Sequence, residues 1–442
     1  MKEDIPNIVK KYLLKFGLTG WELLYNKGNS YKLIIVVPAI KELENIKRLL
    51  FSLLENDNTY FDKTLVVFVI NSIVDSPKEI TDENELTLQL LKSIINKEKL
   101  SDNELNKVSD SWLNIGLVDI STCGKQMPLK DGGVGLARKI GLDLALESFD
   151  YNELSKNILV CLDADCTVEN NYITEIYNYF NNNSCSAAYV QFEHLLENDK
   201  ENNLAIICYE IFLRYYVLGL RIAKSTYASH TIGSTMACDA ESYTKIQGMN
   251  KKKAAEDFYF MEKLSKITKI HKINNTKVYP SSRGSWRVPF GTGKSVIRFL
   301  AKQQNEYLLY SPKSFCLLKD WLQIFNTSDI LTSEEYLRKA KLLNTELHQF
   351  LVQNNFEESW NKILNNSKTD EQINLQKTIW FDGFRTLKFI HHLRDTVFPQ
   401  ENMFNAIDEL FNLIGKSEVE RKKENIPPFE IQLEYLKALR NL

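Results

Sequence analysis

Two short acidic pairs are the residues in this sequence best suited to chemistry. Asp163 and Asp165 close the segment I-L-V-C-L-D-A-D-C at 158–166, where an apolar run ends abruptly in charge. Side chains two apart on an extended segment lie on the same side. Both carboxylates could therefore reach one divalent cation, which takes oxygen ligands and retains water. The other reading is a strand end with solvated or helix-capping aspartates, for which Asp165 ahead of Thr167 and Val168 is suited. Glu256 and Asp257 form a second pair just ahead of Phe258, Met261 and Leu264, an apolar pattern at helical spacing. Carboxylates at a helix start are favoured by the helix dipole. One of them could instead act as a general base, accepting the proton of an attacking hydroxyl within hydrogen-bond reach.

The elements that must position these pairs alternate. Five apolar residues ahead of Asp163 suit a strand buried on both faces. Lys32 to Val37, closed by Pro38, and Thr64 to Ile70, ended by Asn71 and Ser72, read the same way, and Leu117 to Ile120 and Ala187 to Phe192 are further strands. Leu43, Ile46, Leu50 and Leu53 mark an intervening helix. Leu136, Ile140 and Leu144 mark another, reached through Gly132, Gly133 and Gly135. Strands alternating with helices predict an α/β fold, a mostly parallel sheet flanked by helices. Ligands of such sheets bind beyond the carboxyl ends of the strands, where Asn71, Asp163 and Asp165 fall. Residues 1–30 read as a helical lead-in and 31–300 as the α/β domain. Residues 301–442 read as a helical C-terminal domain, from patterns such as Leu337, Ala340, Leu343, Leu347 and Phe350.

With 442 residues, two domains are expected. The balance of 55 basic against 57 acidic residues, with no visible segregation, argues against a nucleic-acid partner. Seven cysteines without a C-x-x-C pair suit a reducing compartment, and the N-terminus lacks the apolar core of a signal peptide, so a cytoplasmic protein is expected. Residues 204–223 are the most apolar stretch, but Glu210, Arg214 and Arg221 interrupt it. A buried helix is expected there rather than a transmembrane span. Peripheral contact with the inner face of a membrane stays open.

The order of the segments resembles that of the family 2 glycosyltransferases with the GT-A fold, over about residues 31–300. V-V-P-A-I-K-E-L-E-N-I at 36–46 looks like the opening strand and helix, and V-I-N-S-I at 69–73 like the strand that meets the nucleotide. G-G-V-G-L-A-R-K-I-G-L at 132–142 is similar to the helix before the metal strand, and D-A-D at 163–165 matches the D-x-D motif. The stretch 233–249, followed by Glu256 and Asp257, resembles the acceptor-side segment and its base.

The resemblance implies metal-dependent, inverting transfer from a nucleotide-sugar, a UDP-sugar being favoured over a GDP-sugar. Mn2+ or Mg2+ would bridge the diphosphate to Asp163 and Asp165, with Asp257 as base beside Glu256. Pro38, Glu42, Asn71, Lys130, Arg138, Asp163 and Ala164 would contact the donor. A loop at 281–293 would offer Arg283, Trp286 and Arg287 as a lip over donor or acceptor. The acceptor could be a glycan, a lipid-linked molecule or a small molecule, and a homodimer through the helical domain is left open. Two departures are Ile40 and Lys41 in place of the usual Tyr-Asn, and Asn71 where relatives read the base with an aspartate. The rival expectations are a catalytically degenerate GT-A module that binds nucleotide or a partner without chemistry, and a nucleotidyltransferase. The latter's glycine-rich basic loop is missing after Pro38, where the chain reads A-I-K-E-L-E.

Overall fold

The buried apolar runs form the strands they predict, because helices cover both faces of the sheet they enter. The computed structural model describes residues 4–26, 30–285, 291–417, 419–422 and 424–442. The large sheet contains β1 (Leu23–Tyr25), β2 (Leu33–Ala39), β3 (Thr64–Asn71), β4 (Asn114–Ile120), β5 (Ile158–Cys161), β6 (Thr167–Val168), β7 (Ala187–Phe192), β8 (Met236–Asp239) and β9 (Ile270–Tyr279). Their order is β1-β4-β3-β2-β5-β8-β7-β9-β6. Every residue of β2 and β3 is buried, so neither shows polar alternation.

The block β4-β3-β2-β5 is parallel, with Leu33 opposite both Thr64 and Ile158. Beyond it the sheet is mixed: β8 runs antiparallel to β5 and β7, β7 and β9 are parallel, and β1 and β6 are antiparallel edges. The mostly parallel sheet that was expected is thus parallel in the block that ends in the D-A-D turn and mixed beyond it. The lead-in contains the expected helix, Asn7–Phe16, ended at Gly17, but it also supplies β1. Strands of three and two residues such as β1 and β6 are too short for a periodic signal.

The chain divides into two compact units, the first built mainly from Met1–Leu195 and Thr231–Ser281, the second mainly from Leu196–His230 and Gly291–Leu442. This departs from the 31–300 and 301–442 boundaries. The Lys200–Ile222 helix belongs with the C-terminal helices, not with the sheet. By length and composition alone it could cross a membrane, yet it is mostly buried within the protein. Two of its three interrupting charges are buried: Arg214 donates to Glu210 at 2.8 Å, and Arg440, from the last helix, donates to both Glu210 oxygens at 2.7 and 2.8 Å. Among the described C-terminal residues the only strands are two-residue pieces, Leu308–Leu309 paired with Glu401–Asn402. The core of this unit is aromatic, with Trp321, Phe325, Tyr336, Phe356 and Trp360 in mutual ring contact.

Candidate functional site

Sheet topology locates the crevice before any side chain is considered. From β2 the chain adds β3 and then β4 on one side, and returns to add β5 on the other. The carboxyl ends of β2 and β5 therefore flank a switch point, where open α/β sheets bind their ligands. β5 stops at Cys161, and the Leu162 amide still bonds Val36 of β2 at 3.1 Å. The D-A-D residues then form a turn, closed by the Cys166 amide donating to the Asp163 carbonyl at 3.1 Å. The two aspartates thus sit on a turn instead of an extended strand, and spacing by two does not by itself put their side chains on one side.

Arg138 is the centre of the site. It lies on the helix Val134–Leu146 and is 2% exposed. Its Nη2 donates to Asp163 Oδ1 and its Nη1 to Glu256 Oε1, while its Nε is buried without a partner. The guanidinium was expected to contact the nucleotide or diphosphate of the donor; here it is turned toward carboxylates. A Cβ on Gly233 would collide with both of its terminal nitrogens, so this glycine, on the 233–249 segment, leaves the space the guanidinium fills. Gly135 likewise packs against the carbonyls of Asn250 and Lys252 and the Glu256 side chain, which seats the acidic pair against the arginine helix.

Glu256 and Asp257 open the helix Glu256–Ser265, and Ala255 before them holds a left-handed φ of 59°. Such backbone costs a residue with a side chain on the order of 1 kcal/mol or more. Burial pushes the Glu256 carboxyl up to about 7 against the pull of Arg138, and Asp257 is also raised, again by burial and again opposed by Arg138. Three carboxylates, those of Asp163, Glu256 and Asp257, thus surround one guanidinium, so the cluster favours an added proton or cation.

A second buried network fixes the arginine helix. Lys139 donates to Asp143 at 2.8 Å and to the Tyr12 hydroxyl at 2.7 Å, and Tyr12 and Tyr243 donate to Asp143 Oδ1 at 2.7 and 2.8 Å. Sequence reasoning missed it, though a signal existed: Lys139 and Asp143 stand four apart on a helix whose one other charged residue is Arg138, the spacing of an ion pair. Gly233 carried no such signal, since its need depends on Arg138, far away in sequence.

The remaining expected donor contacts divide. Pro38 lies in β2, and Ala164 is buried in the D-A-D turn. Glu42 is buried and accepts from Asn45 at 2.5 Å. Asn71 spends both amide hydrogens on backbone carbonyls, Ala39 at 2.8 Å and Val69 at 3.2 Å. Asn84, not foreseen, joins it by donating to the Asn71 carbonyl at 2.9 Å and accepting from the Lys41 amide at 2.8 Å. Lys130 is exposed. Arg283 falls in the helical unit, and Trp286 and Arg287 lie outside the described residues.

Among the described residues no group of three or more His, Cys, Asp or Glu side chains is arranged to hold a metal. An ion of the Mg2+ type commonly takes only one or two carboxylates and completes its shell with water and substrate phosphates, a smaller donor set than such a group.

No protein-family model matches the sequence, and no curated protein matches it. Among solved structures, the chain is similar to S. aureus TarS 1-349 in complex with UDP-GlcNAc, at 13% identity and TM-score 0.40, over 92% of this chain and 88% of that one. It is also similar to the mannosyltransferase PcManGT from Pyrobaculum calidifontis in complex with GDP-Man and Mn2+, at 12% identity and TM-score 0.35, over 87% of this chain and 90% of that one. Both TM-scores lie below 0.5, and neither likeness bears on what this chain does.

Proposed function

We propose that this chain is an inverting glycosyltransferase with a GT-A fold, moving a sugar from a nucleotide-sugar, a UDP-sugar by preference, to an acceptor hydroxyl. The observation that carries the proposal is the acidic cluster around Arg138 at the sheet's switch point, reached by three separate parts of the chain. The acceptor oxygen forms a bond to the anomeric carbon on the face opposite the leaving group. The bond from that carbon to the diphosphate oxygen breaks, and the nucleoside diphosphate departs with the electron pair. Asp257 accepts the acceptor proton at Oδ2, its Oδ1 being held by the Phe258 amide at 2.7 Å. Its raised pKa brings it nearer the operating pH, which makes it a better base. Glu256 faces Arg138 and acts through it, which supports assigning the base to Asp257.

Asp163 and Asp165 would hold Mn2+ or Mg2+, which when bound neutralises the charge that develops on the departing diphosphate. Arg138 orients Asp163 through their ion pair, and the absence of a side chain at Gly233 leaves room for the guanidinium. The bond from Arg138 to Asp163 also supports a second reading, a module that binds nucleotide without metal chemistry. A thermal-shift panel of UDP-, GDP- and CDP-sugars with and without Mn2+ separates the two, because a ligand that binds only the folded state raises its melting temperature. A shift that needs both one nucleotide-sugar and Mn2+ is expected. A shift indifferent to Mn2+ would support the second reading, and no shift with any donor would overturn both.

A further inference from the structure

The loop that delivers Asp257 carries three consecutive lysines, Lys251, Lys252 and Lys253, all exposed. Its shape is fixed. Asn250 accepts from the Lys252 amide at 3.0 Å and donates to the Glu256 carbonyl at 3.0 Å, closing the loop on itself. Ala255 ends it in the left-handed conformation. On its outer side it lies against the entry to the arginine helix: a Cβ on Gly133 would stand 3.0 Å from Lys253 Cα, and Lys253 Nζ donates to the Leu129 carbonyl at 3.0 Å. That contact brings Lys130, also exposed, to the same surface, while Lys252 Nζ sits 3.4 Å from the centre of the Tyr259 ring. The facing stretches 128–133 and 250–255 hold four lysines against one acid, Asp131. Charge is segregated here, in a chain whose net charge is -2.

We infer that this lysine surface docks an acceptor that itself carries phosphate groups. The inference rests on the transferase reading and deepens it by naming the acceptor's chemistry. Ammonium groups bind phosphate as point charges and raise the local concentration of an anion beside the base. The 250–255 stretch of this surface runs directly into the helix start that holds Asp257, which takes the acceptor proton. Leu129 is the only exposed large apolar residue on these two stretches, which is too little to insert into a lipid surface.

The test is binding of long-chain inorganic polyphosphate to the full chain, measured across a salt series. Lys251→Ala/Lys252→Ala/Lys253→Ala is compared with a control that removes the same charge from the helical unit, Lys341→Ala/Lys362→Ala/Lys368→Ala. The loop variant is expected to bind about tenfold or more weakly, with a shallower salt dependence because fewer ions are released, while the control binds as the wild type. Saturating nucleotide-sugar should leave polyphosphate bound. Equal losses in both variants, or no polyphosphate binding by the wild type, would overturn the inference. Displacement by nucleotide-sugar would assign the lysines to the donor's diphosphate, and tighter binding to phosphatidylglycerol vesicles through the same lysines would assign them to a lipid surface; either overturns it too. Donor binding is read separately by thermal shift. Its failure would count against the transferase reading, whereas a polyphosphate failure with intact donor binding counts against the docking surface alone.

Discussion

The two units bury charge in opposite ways. In the helical unit one carboxylate, Glu210, is bonded at both oxygens by guanidiniums, from Arg214 on its own helix and from Arg440 at the end of the chain. In the sheet unit one guanidinium, Arg138, is shared by two carboxylates with a third, Asp257, beside it. The first arrangement is closed: acid and base satisfy each other, and the result staples a terminal helix. The second lies at the carboxyl ends of β2 and β5, and its surplus of acid favours an added proton or cation. Similar side chains are therefore balanced in one place and left with excess acid in the other, and the ratio of acid to base separates the two arrangements.

The largest effects should come from opening either cluster. Glu210→Ala leaves Arg214 and Arg440 without that carboxylate, and Arg138→Ala strands Glu256; removing one member of a buried pair costs about 3–5 kcal/mol. Urea unfolding followed by hydrogen exchange resolved to each unit should show each loss confined first to its own unit. Equal loss of protection in both units from either change would break the comparison.

The pH dependence should differ next. Glu256 holds its proton up to about 7 when folded and to the ordinary 4.5 when unfolded. Between those values the folded state binds more protons, so this contribution to stability is complete below 4.5 and falls as pH rises through 7, by as much as a few kcal/mol. Glu256→Gln should flatten that slope in the sheet unit. An unchanged slope would mean that Arg138 keeps Glu256 ionised throughout.

A smaller effect is expected from Gly233→Ala. The added methyl group presses on the Arg138 guanidinium, and overpacking of this kind costs about 1–3 kcal/mol. Transfer should fall more than stability, because the same push misplaces Asp163 and Glu256. A variant with wild-type turnover would remove the arginine from the positioning role.

Much of this contrast was legible in the sequence, and what was not has physical causes. β2, β3 and β5 announce themselves because strands covered on both faces need uninterrupted apolar residues. The acidic pairs stand out because each ends or precedes such a run. Arg138 stood out in the sequence, but not what it faces, since its partner Glu256 lies 118 positions away. The Lys200–Ile222 helix was assigned to the wrong unit for the same reason: the partner of its buried Glu210 is Arg440, 230 positions on. Local pattern reports burial well and reports what a buried charge faces poorly.

The central claim is that the cluster at the switch point transfers a glycosyl group, with Asp257 as its base. It is tested most directly by Asp257→Asn, measuring nucleotide-sugar affinity and transfer on the same preparation. Wild-type donor affinity with transfer reduced by about 10²-fold or more is the predicted result, the usual effect of removing a general base. Transfer at the wild-type rate with donor affinity unchanged would contradict it.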